Sequence, residues 1–576
     1  RLQDLLRQMT LEEKVGQLAH TLGWNYYEKD ENGQVRLTDL FRSDLKNRYI
    51  GCFWATLRAD PWTRKTLRTG LSPREAAEMT NAMQRYARDS TRLGIPLFLA
   101  EECPHGHMAI GTTVFPTAIG RASTWNTELE ERVAEIVALE ARLQGGHIGY
   151  GPVLDVAREL RWSRVEEGYG EDPFLSGSMG SAYVRGLQGG NVGSGENVIA
   201  TLKHFTAYGV PEGGHNAGMA HVGVRELLTE LSYPFEMAVK AGALSLMTAY
   251  NEVDGIPCTA NPFLTNQLLR DQWGFSGFVV SDLYAIDGLM SQRVAAGRDE
   301  AGILALRSGV DSDLGGNCFS ADLVRACREG RLAEADIDRA VSRILRLKFK
   351  MGLFDNPYVK VKKAEKLIGT SGHREVAREV ARQSVVLLKN ENQLLPLSKE
   401  VKRVAVIGPN ADNVYNQLGD YTAPQAPGSV ITVLEGIRQK LPGAEVRYVK
   451  GCAVRDTLDT SIGEACETAK NSDVVVVVLG GSSARDFETD FLETGAAVAN
   501  ERKVSDMESG EGFDRIGLSL MGKQVELLKA LYATGRPVVL VMVQGRPLEL
   551  NWAAEHIPAI LTTWYPGGEG GRAIAD

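Results

Sequence analysis

Gly277-Phe278-Val279-Val280-Ser281-Asp282 is a short apolar run opened by a glycine and closed by a carboxylate. A run of this kind reads as a buried strand whose last residue stands at the edge of a sheet. Working outward, similar runs recur at residues 95–100, 147–155, 198–204, 243–250 and 309–314. Amphipathic stretches lie between them, among them residues 127–143 and 224–240. Strand and helix alternating over residues 1–355 imply a parallel sheet, and the length suits a (β/α)8 barrel with insertions. The strand ends are where the polar groups fall: Glu101-Glu102, Asp155, Lys203-His204, Tyr250-Asn251 and Ser281-Asp282. In a barrel those C-terminal ends face the site.

Gly352-Leu353-Phe354-Asp355-Asn356-Pro357 reads as a helix stop and a break. The expected organisation is a barrel over residues 1–355, a lysine-containing linker over 356–383, and a second α/β unit over 384–576. The second unit carries strand runs at 385–388, 404–407, 474–479, 538–543 and 560–563, with helices at 434–441 and 520–533. The fold class is therefore α/β in both parts, a TIM-like barrel followed by an α/β layer or sandwich.

Composition narrows the function. The 576 residues are 43% hydrophobic and 24% charged, which is ordinary globular usage and excludes a disordered or collagenous chain. The charge sum, 64 − 73 = −9, argues against nucleic acid as a partner, because phosphate binding needs clustered Lys and Arg. No apolar run approaches the ~20 residues of a membrane span. The two longest, 474–479 and 538–543, are bounded by Asp473 and Gly480, and by Pro537 and Gln544. The seven cysteines are scattered with no CxxC pair, so free thiols are expected and a zinc site is not. The chain opens on Arg1 with no legible signal peptide, which leaves the compartment undecided.

Four segments carry candidate chemistry, each with a plain alternative. Asp282 at a strand end can be a nucleophile, a base or a ligand, or simply the cap of the following helix. Lys203-His204 suits hydroxyls and carboxylates, or is a surface Lys beside a packed His. The stretch 158–173 holds three Arg and five acids, either a site or a solvated ion-pair loop. Ser509-Gly510-Glu511-Gly512 is a tightly turned loop that can carry a carboxylate into another domain's pocket, or a surface turn. There is no Walker A sequence and no GxSxG. Leu479-Gly480-Gly481-Ser482-Ser483 follows a strand but lacks GxGxxG spacing, so a nucleotide-dependent oxidoreductase is a poor reading. His105 and His107 do not have HExxH spacing. No cofactor and no metal are expected.

Taken jointly and in order, seven segments resemble glycoside hydrolase family 3. They are Met9-Thr-Leu-Glu-Glu-Lys-Val-Gly-Gln17, Thr113-Val-Phe-Pro-Thr-Ala-Ile119, Arg161-Trp-Ser-Arg164 with Tyr169-Gly-Glu-Asp-Pro173, Lys203-His-Phe205, Met247-Thr-Ala-Tyr-Asn251, Gly277 to Asp282, and Ser509-Gly-Glu-Gly512. The resemblance implies a retaining, exo-acting β-glycosidase that removes glucosyl or xylosyl units from the non-reducing ends of oligosaccharides. It implies that Asp282 is the nucleophile and that Glu511, lent by the second domain, is the general acid/base, the two carboxyl groups ~5–5.5 Å apart. Asp282 is then expected to stay ionised near Lys203 or Arg164, and Glu511 to rest protonated. Glu102, Arg164, Lys203, His204 and Tyr250 match sugar-binding or nucleophile-orienting positions.

The chain departs from the family's glucosidases in three places. Glu102 stands where many have Asp, and its extra methylene leans the reading toward xylose. Ser163 and Leu283 replace the more usual Gly and Trp. An N-acetyl-β-glucosaminidase of the same family would read KHFPGHG where this chain has Lys203-His-Phe-Thr-Ala-Tyr-Gly209, so that reading is the alternative. A non-catalytic carbohydrate-binding protein is another, opposed by the intact Asp282 and Glu511. The substrate class favours a periplasmic or secreted location and the family allows a homodimer. Residues 564–571 resemble an interior point of the family's second domain, so more chain is expected to follow.

Overall fold

The computed structural model describes residues 1–499 and 504–576. Eight short strands form one parallel sheet: β1 (Ala19–Leu22), β2 (Cys52–Trp54), β3 (Phe98–Glu102), β4 (Ile148–Val153), β5 (Ile199–Phe205), β6 (Ser245–Thr248), β7 (Phe278–Val280) and β8 (Asp313–Leu314). Each pairs with the next in chain order up to β7, and β8 returns to pair with β1, with Ala19 opposite Asp313. A parallel bridge between Val280 and Ser312 joins β7 to the start of β8 and nearly closes the ring.

Six of these strands overlap the runs read from the sequence, β3 and β5 running one or two residues past theirs. β1 and β2 lie outside them: β1 carries the polar His20 and Thr21 and continues straight from the helix Leu11–Leu18, and β2 is three residues with no polar group closing it. The outer helices start where side chains can satisfy free backbone N–H groups. Ser72 and Glu75 form a capping box before Pro73–Ser90, Asn126 caps Thr127–Leu143, and Asp172 caps Pro173–Gln188. The last two helices pack closely because Gly186 has no side chain. A Cβ there would lie 2.2 Å from the Glu131 carbonyl oxygen. The helix expected at 224–240 is broken into Val224–Glu226, a wide turn at Leu227–Leu231, and Tyr233–Lys240. Pro234, which cannot donate to the preceding turn, sits at the restart.

Residues 356–383 are not an extended connection. They contain the helix Val361–Leu367 and most of the helix Ser371–Ser384. A second, six-stranded sheet follows: β9 (Val386–Asn390), β10 (Arg403–Ile407), β11 (Glu445–Val449), β12 (Val474–Gly480), β13 (Val538–Val543) and β14 (Ala559–Thr562), in the spatial order β9-β14-β13-β12-β10-β11. All neighbours are parallel except β9 with β14. In β12, Val475, Val477 and Leu479 pack with Leu527, Leu528 and Leu531 on one face of the sheet, and Val474, Val476 and Val478 with Val433 and Leu434 on the other. Covered faces on both sides explain the unbroken apolar run. β11 was missed from sequence because it is an edge strand with Glu445 and Arg447 exposed, the charged pattern that blunts an open edge.

The loops at the carboxyl ends of this second sheet decide the site's position. The segments after β10, β12 and β13 carry Tyr421, Glu511 and Arg546, and all three meet the C-terminal face of the barrel. No helix among the described residues is long and apolar enough to cross a membrane.

Candidate active site

One pocket gathers strand-end residues of the barrel and four residues of the second domain, Tyr421, Thr494, Gly495 and Glu511. Its walls include Trp54, Glu102, Arg164, Lys203, His204, Tyr250, Asp282, Tyr421 and Glu511. All seven sequence-derived candidates, Glu102, Arg164, Lys203, His204, Tyr250, Asp282 and Glu511, line it. Asp282 lies two residues beyond the end of β7, and its Oδ1 accepts the Leu283 backbone N–H at 2.7 Å. Its Oδ2 is buried and has no hydrogen-bond partner. The carboxylate is thus fixed by one oxygen and free at the other.

Arg164 organises the floor. Its Nε and Nη2 make a two-pronged contact to Glu167 at 2.6 and 2.9 Å, and Nη1 reaches Glu511 Oε1 at 3.1 Å. Nη2 also lies 3.0 Å from His204 Nε2 and donates to the Tyr421 hydroxyl at 3.3 Å. A guanidinium cannot accept a hydrogen bond, so His204 Nε2 must accept and its proton resides on Nδ1. That Nδ1 is 2.8 Å from Asp155 Oδ2, which completes the tautomer assignment. Burial, reinforced by Arg164 and Lys203, holds the imidazole well below its ordinary pKa, consistent with a neutral ring.

Glu102 forms the opposite wall. Trp54 Nε1 donates to its Oε1 at 3.2 Å and Lys203 Nζ to its Oε2 at 3.0 Å, so both oxygens are pinned toward the cavity. The Lys203–His204 peptide is cis, and both side chains face the pocket.

Glu511 arrives on a loop whose glycines are required. Gly510 and Gly512 have φ of +84° and +103°, the left-handed region that side chains disfavour. A Cβ on Gly512 would also lie 2.0 Å from the Ala497 carbonyl oxygen. Glu511 Oε2 accepts from the Tyr421 hydroxyl at 3.3 Å. The loop is latched to the barrel: Gly510 N–H donates to Ser163 O at 3.0 Å, and Asp514 accepts the backbone N–H groups of Ser163 and Asn216 at 3.0 and 2.7 Å. Arg546, with no exposed surface, donates to the carbonyls of Leu160, Arg161 and Trp162 in the barrel and to Glu508 and Phe513 in the loop. A single buried guanidinium therefore ties the Arg164 segment to the Glu511 loop, which makes it a positioning group across the two domains.

The charged stretch 158–173 divides between the two readings open in the sequence. Arg164 lines the pocket, Glu167 grips its guanidinium, and Glu166 is buried, accepting from Ser483 at 3.0 Å. Arg161 pairs with Glu159, Arg158 with Glu230, and Asp172 caps a helix. Trp54, Tyr421, Glu167 and Arg546 were not foreseen. Asp155 was legible only as a strand end.

Electrostatics depart from expectation at Asp282. Burial pushes its carboxyl up to about 7, with Glu511 adding to the rise and Arg164 opposing it. The nearby cations do not outweigh lost solvation. Since a group with a raised pKa stays protonated to higher pH, any chemistry that needs the Asp282 carboxylate gains strength as pH rises. The expected kcat/KM profile therefore has an acidic limb near pH 7, above the ordinary carboxylate range. A profile flat between about pH 5 and 8 contradicts this.

Comparison with known proteins follows the same lines. The family model described as the glycosyl hydrolase family 3 N terminal domain matches residues 10–347, and the corresponding C-terminal domain model matches residues 385–576. A β-xylosidase of Formosa agariphila is 39% identical over 537 residues, spanning 89% of this chain and 71% of the relative. A periplasmic β-glucosidase of Salmonella typhimurium is 33% identical, spanning 100% of this chain and 71% of its own length. Among solved structures, a β-glucosidase from Erythrobacter marinus superposes with a TM-score of 0.87 at 34% identity, covering 100% of this chain and 75% of that one. These relatives support the main reading of the sequence rather than the N-acetylglucosaminidase or non-catalytic alternatives. Both domain models match in order on a barrel and a second sheet that share one pocket: the chain belongs to glycoside hydrolase family 3 and is a glycoside hydrolase.

Proposed function

We propose that the enzyme is a retaining exo-β-xylosidase, with Asp282 as nucleophile and Glu511 as general acid/base. The observation that carries the assignment of the pair is the unpartnered Oδ2 of Asp282 in a pocket that also holds Glu511. In the first step Oδ2 attacks the anomeric carbon while Glu511 protonates the departing glycosidic oxygen. The result is a glycosyl ester on Asp282. In the second step Glu511 takes a proton from water, whose oxygen displaces Asp282 with a second inversion. His204, fixed as the Nδ1–H tautomer, presents Nε2 at 3.8 Å from the nucleophilic oxygen, and Arg164 spans from His204 to Glu511. Arg164 thus holds Glu511 directly and places its positive charge in the same pocket as Asp282, which it reaches through His204.

The preference for xylose rests on Glu102. Its two oxygens, each already holding one donor, retain lone pairs for a vicinal diol at the closed end of the pocket. Placed between Trp54 and Lys203, the longer acid occupies space that the hydroxymethyl group of glucose would need. A methylene of misfit is worth roughly 10- to 200-fold in selectivity. We expect a panel of 4-nitrophenyl β-xyloside, β-glucoside, α-arabinofuranoside and N-acetyl-β-glucosaminide to be turned over best as the β-xyloside. Shortening the wall in Glu102→Asp should move the kcat/KM ratio toward the glucoside by about tenfold or more. Faster glucoside hydrolysis by the parent enzyme would overturn the sugar assignment while leaving the catalytic pair intact.

A further inference from the structure

Outside the lining of the sugar pocket, three potential metal ligands converge. Asp287 lies on the helix Ala285–Ser291 that follows the Asp282 turn, Asp313 on β8, and Cys318 on the loop after β8. One donor atom from each lies within 4.8 Å of the other two, the one such group among the described residues.

Two independent features distinguish this cluster from a patch of surface acids. First, Asp313 is only 1% exposed, and its Oδ1 has no hydrogen-bond partner although its Oδ2 accepts the backbone N–H groups of Cys318 and Phe319 at 2.8 and 3.0 Å. A buried carboxylate oxygen without a donor is costly, and in a native protein it calls for a ligand or a proton. Second, that Oδ1 and Oδ2 of Asp287 both point at the space over Gly316. A Cβ on Gly316 would lie 2.4 Å from each of them. Gly316 does not have the positive φ that would demand glycine for conformation. It keeps the notch between the two oxygens open.

The local charge is also unbalanced. Two carboxylates face one guanidinium, that of Arg298, which donates to the outer oxygen of Asp287 at 3.1 Å. Asp287 Oδ2 also accepts the Asn317 N–H at 3.4 Å, and the Cys318 thiol is hydrogen-bonded to the same carboxylate. Cys318 is fully buried and reduced. Asp287 is partly exposed, 19% at its side chain, and gives the notch an opening to solvent.

We propose that Asp287, Asp313 and Cys318 form a site for one thiophilic divalent cation of the zinc class. Two carboxylates and a thiolate suit such an ion better than magnesium or calcium, which take oxygen alone. On binding, the Cys318 thiol gives up its proton to solvent, and water completes the coordination. Bound there, the ion joins the helix after Asp282 to the last barrel strand. It takes no part in glycoside chemistry.

The test uses reduced, chelator-treated enzyme titrated with cadmium(II) and, separately, cobalt(II). The expected result is a thiolate-to-metal charge-transfer absorption that saturates at one equivalent, with a rise in the melting temperature. Cys318→Ser should abolish the band. Asp313→Asn and Gly316→Ala, the latter filling the notch without touching a ligand, should each weaken binding by about tenfold or more. Absence of the band overturns the proposal. So does a band of equal strength in Cys318→Ser, which would place the metal on Cys327 or Cys466. If Cys318→Ser does not fold, unchanged binding in both other variants overturns it, and weakened binding in both upholds it. A cluster neutralised by a shared proton instead would show no band and no metal-dependent melting shift.

Discussion

Asp282→Gly is expected to lower turnover of a 4-nitrophenyl β-glycoside by roughly 10^4-fold or more, and added azide to restore part of it. The reasoning starts from the free oxygen. Oδ2 of Asp282 has no partner in the pocket, while Oδ1 is held by the Leu283 N–H. Removing the side chain therefore deletes the attacking atom and opens a small space beneath the anomeric carbon. The scaffold should persist, since the segment is held by the Ser281 N–H to Ser312 O bond at 2.9 Å and by β7. Azide fits the vacated space and attacks from the face the carboxylate used. With Glu511 still available, the product is the α-glycosyl azide, of inverted configuration. Full turnover in Asp282→Gly, with no effect of azide on product, would remove Asp282 from the nucleophile's role.

Why the sequence disclosed some of this site and hid the rest follows from distance along the chain. Asp282 and Lys203-His204 were legible because a barrel exposes strand ends, and an apolar run that stops at a charged residue marks such an end. Glu511 was legible only as a glutamate between glycines, and only in the company of the other segments. Tyr421 and Arg546 carry no local signal. Each sits in a loop of the second sheet and acquires meaning from partners such as Arg164 and Trp162, which are 257 and 384 positions away. The same limit applies to the fold. Long helices and the valine run of β12 declared themselves through period and hydrophobicity. β2, which delivers Trp54 to Glu102, has three residues and, unlike the equally short β7, no carboxylate closing it to mark a strand end. The pKa of Asp282 was misjudged for a related reason. The resemblance names the cations brought beside Asp282, Lys203 and Arg164, but sequence says nothing of how completely the fold withdraws water.

Glu511→Ala should separate substrates by leaving group. Protonation of the departing oxygen matters most when that oxygen is basic, and general acid help is worth about 10²–10⁴-fold. Alkyl glycosides and xylo-oligosaccharides should lose most of that factor in the first step, whereas an activated aryl glycoside leaves with little assistance. For the aryl substrate the second step then becomes slow, because no base activates water. KM should fall with kcat as the glycosyl ester on Asp282 accumulates. Azide needs no base, so it should accelerate this variant also, but from the opposite face. The ester on Asp282 is attacked from the side where Glu511 stood, giving the β-glycosyl azide. The two variants thus report the two faces of one sugar: α-azide when Asp282 is missing, β-azide when Glu511 is missing. A merely structural Glu511, needed to hold Arg164 at 3.1 Å and Tyr421 at 3.3 Å, would give equal losses on both leaving-group classes and no β-azide. Only a carboxyl group that acts on both the leaving oxygen and the incoming water produces the split together with the stereochemical signature.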